Sequence, residues 1–169
     1  MKNVIKLFVL VALSLGAMSV SAQTKLGYID TQKLIQAMPE WTEAQKQFQA
    51  KQDEVEKEMT NLREQFQTKS AEFSEKEKTY SEVIRASKEQ ELQELYQRIQ
   101  RFQEIAMTEL DKSQKSLMQP VMDKALNAIK AVGKENGFTY IFELNAGILY
   151  VAETADDILP LVKKKLGLQ

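Results

Sequence analysis

The chain has 169 residues, 23 of them basic and 24 acidic, with no cysteine and no histidine. That length suits a single domain, and a balance this close to neutral argues against general nucleic-acid binding. Without Cys there are no disulfides and no thiol nucleophile, and without His the usual zinc, haem and copper ligand sets and the commonest general base are missing.

The first 22 residues have the pattern of a secretory signal peptide. Lys2 and Lys6 precede a mostly apolar run from Leu7 to Met18, and Val20-Ser21-Ala22 places a small residue ahead of Gln23. The run is short of the ~20 residues a membrane span needs and is interrupted by Ser14 and Gly16. Export with cleavage after Ala22 is therefore expected. Removing Lys2 and Lys6 leaves 21 basic against 24 acidic residues, a net charge of −3. An exported chain without disulfides must draw its stability from packing or oligomerisation.

Leu26-Gly27-Tyr28-Ile29 has the β-favouring composition of a short strand. Asp30 and Thr31 are N-cap candidates for a helix of one or two turns over 33–38. Pro39 ends that helix and suits the first position of the next, with Glu40 near its positive end. From there to Pro120 lie 80 residues without glycine or proline, dense in Glu, Lys, Gln and Arg. The stretch is too polar for a packed core and too long for an ordinary helix, so it reads as one very long helix or a helical hairpin.

Apolar positions support the helical reading. Trp41, Phe48, Val55, Met59, Leu62, Phe66, Phe73, Tyr80 and Val83 recur at steps of seven, four and three, as a heptad seam requires. Gln45, Gln52, Lys69 and Lys76 occupy seam positions that a tight coiled coil would give to Leu or Ile, so the seam is loosely packed or partly displayed. A matching stripe follows at Leu92, Leu95, Ile99, Phe102, Ala106, Leu110, Leu117, Val121, Ala125, Ala128 and Val132, with Pro120 inside it as a joint between arm and body. If the terminal strands share a sheet, equal arms place the reversal near residue 84, within 81–87.

Gly137 supplies a left-handed cap at the end of the second arm. Residues 138–144 read as a strand, Asn145-Ala146-Gly147 as a hairpin turn and residues 148–152 as the returning strand, apolar on both faces. Residues 154–157 then cap a last helix with Pro160 in its first turn. The expected organisation is a signal peptide at 1–22, a β-rich body from 23–39 plus 120–169, and an arm over 40–119. The fold class is α+β, mainly α: a long α-helical hairpin on a small β body. So small a core needs reinforcement, and oligomerisation is the route left open. Tyr28, Ile29, Tyr140, Phe142, Leu149 and Val151 are the candidate contact residues; the alternative is that they cover their own sheet.

The order strand, short helix, proline, helical hairpin, apolar strand pair and terminal helix resembles the Skp/OmpH family of periplasmic chaperones. The residues that carry the likeness are 27–31 (Gly-Tyr-Ile-Asp-Thr), Met38-Pro39-Glu40, 117–121 (Leu-Met-Gln-Pro-Val), 134–138 (Lys-Glu-Asn-Gly-Phe), 147–152 (Gly-Ile-Leu-Tyr-Val-Ala) and Asp157-Ile158. The resemblance implies a homotrimer whose strands form a joint body and whose arms enclose a cavity. That cavity would hold unfolded outer-membrane proteins in the periplasm, without ATP. Residues 69–88 hold five basic and four acidic side chains, a net of +1, too little to carry over a membrane-surface or lipopolysaccharide contact at the arm tip.

Within that frame, Phe48, Met59, Phe66, Phe73, Tyr80 and Phe102 are candidate client-binding residues, the alternative being that they pack the arms together. Tyr96, Ile105 and Met107 lie off the best seam and are freer to face a client. No G-x-x-x-x-G-K-[ST] loop occurs, so nucleotide use is not expected. No cofactor or metal is implied. Glu72, Glu75 and Glu77 read as a solvated face beside Lys76 and Lys78 rather than an acid/base pair, so no enzymatic activity is expected. The rival function is a structural coiled-coil spacer of the cell envelope.

Overall fold

The computed structural model describes residues 24–168; the expected signal peptide lies outside the described residues. Strand β1 (Leu26–Ile29) leads into the short helix α1 (Thr31–Gln36). Two long helices follow, α2 (Pro39–Lys76) and α3 (Glu82–Glu135), then β2 (Tyr140–Glu143), a two-residue strand β3 (Asp156–Asp157) and α4 (Leu159–Lys165). At ~1.5 Å per residue, the 38 residues of α2 and 54 of α3 extend roughly 57 and 81 Å.

Local chemistry sets the boundaries. Asp30 Oδ1 accepts the Lys33 N–H at 2.9 Å, capping α1. That bond, with the Lys33 ammonium beside it, holds the Asp30 carboxyl below the usual range. Glu143 reaches the same helix end from β2, accepting the Thr31 N–H at 3.2 Å, so strand and helix are tied through the α1 dipole. Pro39 starts α2, as its fixed φ and missing N–H favour. Gly137 adopts φ +68° after α3, and the Phe138 N–H folds back to the Gly133 carbonyl at 2.9 Å.

The reversal falls at Glu77–Thr79, a 3-10 turn, followed by extended Tyr80, slightly before the expected 81–87. Thr79 Oγ1 donates to the Lys76 carbonyl at 2.7 Å, and Ser81 Oγ accepts the Ile84 N–H at 3.4 Å as the α3 N-cap. The arms need not be equal, because α3 runs on through the body after retracing α2. It also continues through Pro120 without ending there. The proline ring removes one helical donor at a solvent-exposed turn. The next residue, Val121, is the first α3 side chain buried in the body core.

The sheet corrects a larger expectation. Its order is β2-β1-β3 and every pairing is parallel, with Leu26 opposite Tyr140 and Ile29 opposite Glu143. The reason is topological: α2 runs out and α3 runs back, so β2 starts at the end of the sheet where β1 started. Residues 148–152 form no strand and no hairpin with β2. Gly147 does turn the chain, at φ +86°, but the segment beyond it is left with Leu149 fully exposed and Tyr150 largely so. Asp156 and Asp157, expected only as caps, pair with β1, while Asp157 Oδ1 also accepts the Leu159 N–H at 2.9 Å.

The body core joins Ile29, Leu34, Met38, Ala44, Val121, Ala125, Ile129, Val132, Ile158 and Val162. It draws on both ends of the described chain and on the bases of both long helices. Glu40–Lys124 and Lys165–Glu135 ion pairs fasten its rim. Ile29 belongs to this core, which removes it from the expected oligomer contact surface: its side chain is turned into its own subunit.

Two glycines mark where backbones come closest. A Cβ on Gly27 would lie 2.9 Å from the Phe138 ring and 3.0 Å from Ile158 Cγ2, both held by the core. One on Gly133 would meet only the terminal Cδ1 of Ile141, at 2.8 Å. Gly27→Ala is therefore expected to cost about 1–3 kcal/mol by overpacking. Gly133→Ala should be close to neutral, because the gain of up to ~1 kcal/mol in helix propensity offsets the shift of one flexible methyl. Thermal unfolding of the two variants checks the ordering.

Candidate functional site: the helical arm

Packing between α2 and α3 is uneven. In the outer half, Leu62 is fully buried against Leu95 and Ile99, with Met59, Phe66 and Phe102 packed around them. These six side chains make a small satellite core, separate from the body. Nearer the body, Ala44 is the next residue of α2 to be buried. Between Ala44 and Met59 the seam positions are Phe48 and Val55, both half-buried, and the polar Gln45 and Gln52. A short or polar residue cannot fill the gap between two helices, and the chain there leaves a cleft of about 820 Å³. Val55 lines it from α2, and Phe102, Ile105, Ala106 and Leu110 line it from α3.

Charge pairs follow the same division. Among the described residues, three ion pairs cross from α2 to α3: Lys69–Glu91 at 3.2 Å, Glu58–Arg98 at 3.6 Å and Glu40–Lys124. None crosses the arm between Glu58 and Glu40. Charge thus links the helices at the tip, beside the satellite core and at the base, with no cross-arm pair between the last two.

The candidate client-binding residues separate into two groups. Leu62's neighbours Met59, Phe66 and Phe102 pack the arms together and are only half-exposed. Phe48 is half-buried near the base, and Phe73 lies against Tyr80 at the tip with ring centroids 6.3 Å apart. Tyr96, Ile105 and Met107 are exposed at 53%, 60% and 67%, although Tyr96 leans on Phe66 at 6.2 Å between ring centroids. Val83, placed on the seam by its spacing, and its neighbour Ile84 stand in solvent beside the turn. They begin a new helix, so the heptad phase of α2 does not extend to them. Gln45 and Gln52, the polar residues that interrupt the seam, do not line the cleft, whose α2 wall runs from Lys51 to Asn61.

In the body, Tyr140 and Phe142 stack on the exposed face of β2 with centroids 6.3 Å apart. Tyr28 and Val151 are half-buried. With Leu149 and Tyr150 these rings leave an apolar face uncovered within one subunit.

At the tip, Glu91 is hydrogen-bonded by Lys88 and by Lys69 across the arm, and Glu72 by Lys76. These bonds hold both carboxyls below the usual range. A carboxylate with a depressed folded-state pKa contributes stability that is present above its unfolded value, near 4.5, and lost as pH falls through the folded value. The tip should therefore loosen below about pH 4.5 while the satellite core, which has no titrating group, stays closed. Spin labels replacing Ser70 and Gln90 should report the acid-induced separation, and Glu91→Gln should remove most of its pH dependence.

Among the described residues no helix is long and apolar enough to cross a membrane, and no group of His, Cys, Asp and Glu is disposed to hold a metal ion. No curated protein matches the sequence. The fold is similar to that of a solved structure from Caulobacter crescentus CB15 titled as an outer membrane chaperone (OmpH-like). The TM-score is 0.75 at 15% identity, over 86% of this chain and 85% of that one. The family model described as outer membrane protein (OmpH-like) matches residues 25–166, which take in all three strands of the body and the whole arm, and the chain belongs to that family.

Proposed function

We propose that this protein is an ATP-independent holdase of the periplasm that keeps unfolded outer-membrane proteins from aggregating. The observation that carries the reading is the arm: a projecting helical hairpin that leaves large apolar side chains, Tyr96, Ile105 and Met107 among them, in solvent. Exposed apolar groups on a rigid projection cost solubility unless they have a partner. Unfolded polypeptide is a partner that needs no fixed shape, and methionine adapts to irregular contacts. The family membership and the chaperone title of the Caulobacter structure support the same reading. So does the signal-peptide pattern of residues 1–22, which fits delivery to the periplasm.

Holding proceeds by many weak contacts. Several together reach about −8 to −12 kcal/mol, the micromolar to nanomolar range, and linked arms raise the effective concentration of each further contact. We assign the apolar face of Tyr140, Phe142, Leu149 and Val151 to assembly, as a homotrimer that sets three arms around one cavity. An envelope spacer would be better served by an unbroken rod than by a chain that reverses at Glu77–Thr79.

Replacing Tyr96, Ile105 and Met107 together by Gln should leave helix content and assembly intact and abolish most suppression of aggregation of a diluted, urea-unfolded β-barrel protein, read by light scattering. Unimpaired suppression would contradict the role of these side chains. Sedimentation should find three subunits in the native protein and a dissociated species for Phe142→Asp/Leu149→Asp. A native monomer would contradict the assembly.

A further inference from the structure

We infer that Met107 is a site of reversible oxidation, and that its sulfoxide weakens the arm's hold on client polypeptide. The inference rests on the holdase reading and supplies a regulation of that same surface.

Sulfur chemistry leaves few candidates. The chain has no cysteine, so its thioethers are the groups that oxygen-transferring, two-electron oxidants attack first. Of seven methionines, Met1 and Met18 fall in the signal-peptide pattern, which leaves Met38, Met59, Met107, Met118 and Met122. Exposure ranks these five. Met107 is 67% exposed and Met122 48%, Met59 and Met118 are half-buried, and Met38 is 1% exposed. Met38 belongs to the body core, Met118 packs against that core and Met59 against the satellite core. Met107 belongs to neither. The sulfur that an oxidant reaches most easily is therefore one that the fold does not need, on a face assigned to clients.

The surroundings favour the oxidised form. Met107 is the one apolar side chain in a shallow hollow on α3 that it shares with Gln100, Arg101, Gln103 and Glu104. As a thioether it is a weak acceptor and an adaptable apolar contact. Its sulfoxide oxygen is a strong acceptor, and Gln100, Arg101 and Gln103 bring N–H donors to the same surface. Gln103 stands four residues earlier, on the same helix face. Oxidation thus removes one of the three exposed apolar groups, Tyr96, Ile105 and Met107, without disturbing a buried one.

The step balances simply. Hypochlorous acid transfers its oxygen to Sδ, which loses two electrons, while chlorine is reduced to chloride and a proton is released. A methionine sulfoxide reductase reverses it with a dithiol, which becomes a disulfide as the oxygen leaves as water.

The test uses the full-length mature protein and graded hypochlorous acid, with peptide mass spectrometry to follow each methionine. Met107 should oxidise first, Met122 next and Met38 last. Full conversion of Met107 should raise the Kd for a urea-unfolded β-barrel protein about three- to tenfold, as loss of one apolar contact among several requires. Helix content and subunit number should not change, and methionine sulfoxide reductases with dithiothreitol should restore the original Kd. Met107→Leu, compared with its own untreated Kd, should show no loss on treatment, whereas Met122→Leu should lose as much as the native protein. Oxidation of Met107 no faster than Met118, an unchanged Kd at full conversion, or a loss that persists in Met107→Leu would overturn the inference. Unfolding or dissociation on treatment would overturn it as well, because the effect would then be structural. If the untreated protein suppresses aggregation and only the response to oxidant is missing, this inference alone falls; if the untreated protein suppresses nothing, the holdase reading falls with it.

Discussion

The arm depends on one contact made far from the body: Leu62 packed against Leu95 and Ile99. Two helices alone can bury only one stripe of each other, so a hairpin of this length has little packing energy per residue. Concentrating it at one point holds the arm together, since loss of a fully buried leucine contact of this kind costs about 2–5 kcal/mol. It also leaves the neighbouring stretch free of the requirement to pack. The cleft below Leu62 follows from the same economy of apolar residues. Cross-arm ion pairs are exposed and contribute little stability each, so they orient the helices rather than hold them.

The body faces the opposite problem. Its core is well filled, with Leu34, Ile158 and Val162 fully buried, yet its sheet is three short parallel strands. Parallel pairing normally occurs where both faces are covered. Here one face packs on α1, α3 and α4, and the Tyr140–Phe142 face is bare within the subunit. The proposed assembly covers that face, and it joins the arms at their bases, where α2 and α3 already share the body core through Ala44 and Val121.

The helices were legible in the sequence because periodicity and caps are local signals. Asp30, Pro39 and Gly137 each act through neighbours within four residues, and the seam residues Leu62, Leu95 and Ile99 were in phase. Strand pairing was not legible. An apolar β-branched run such as 148–152 says that extended, buried backbone suits those residues; it does not name the edge they meet. Asp156 and Asp157 carry no strand signal and pair because the chain passes beside β1. Ile29 and Tyr28 are adjacent in one strand, and alternation sends one inward and the other toward the surface. The cleft was not legible either: the seam-breaking Gln45 and Gln52 lie outside its lining, and its walls come from α2 and α3 residues far apart in sequence, a tertiary property.

Hydrogen exchange along the arm tests most directly whether the hairpin is pinned at one point and open below it. Amides of residues 59–66 and 95–102 should exchange most slowly of any in the arm, and those of 47–55 and 106–114 markedly faster, because local opening follows the density of buried apolar contact. Uniform protection from the base of the arm to residue 66 would mean that the seam is closed throughout, and would contradict the account.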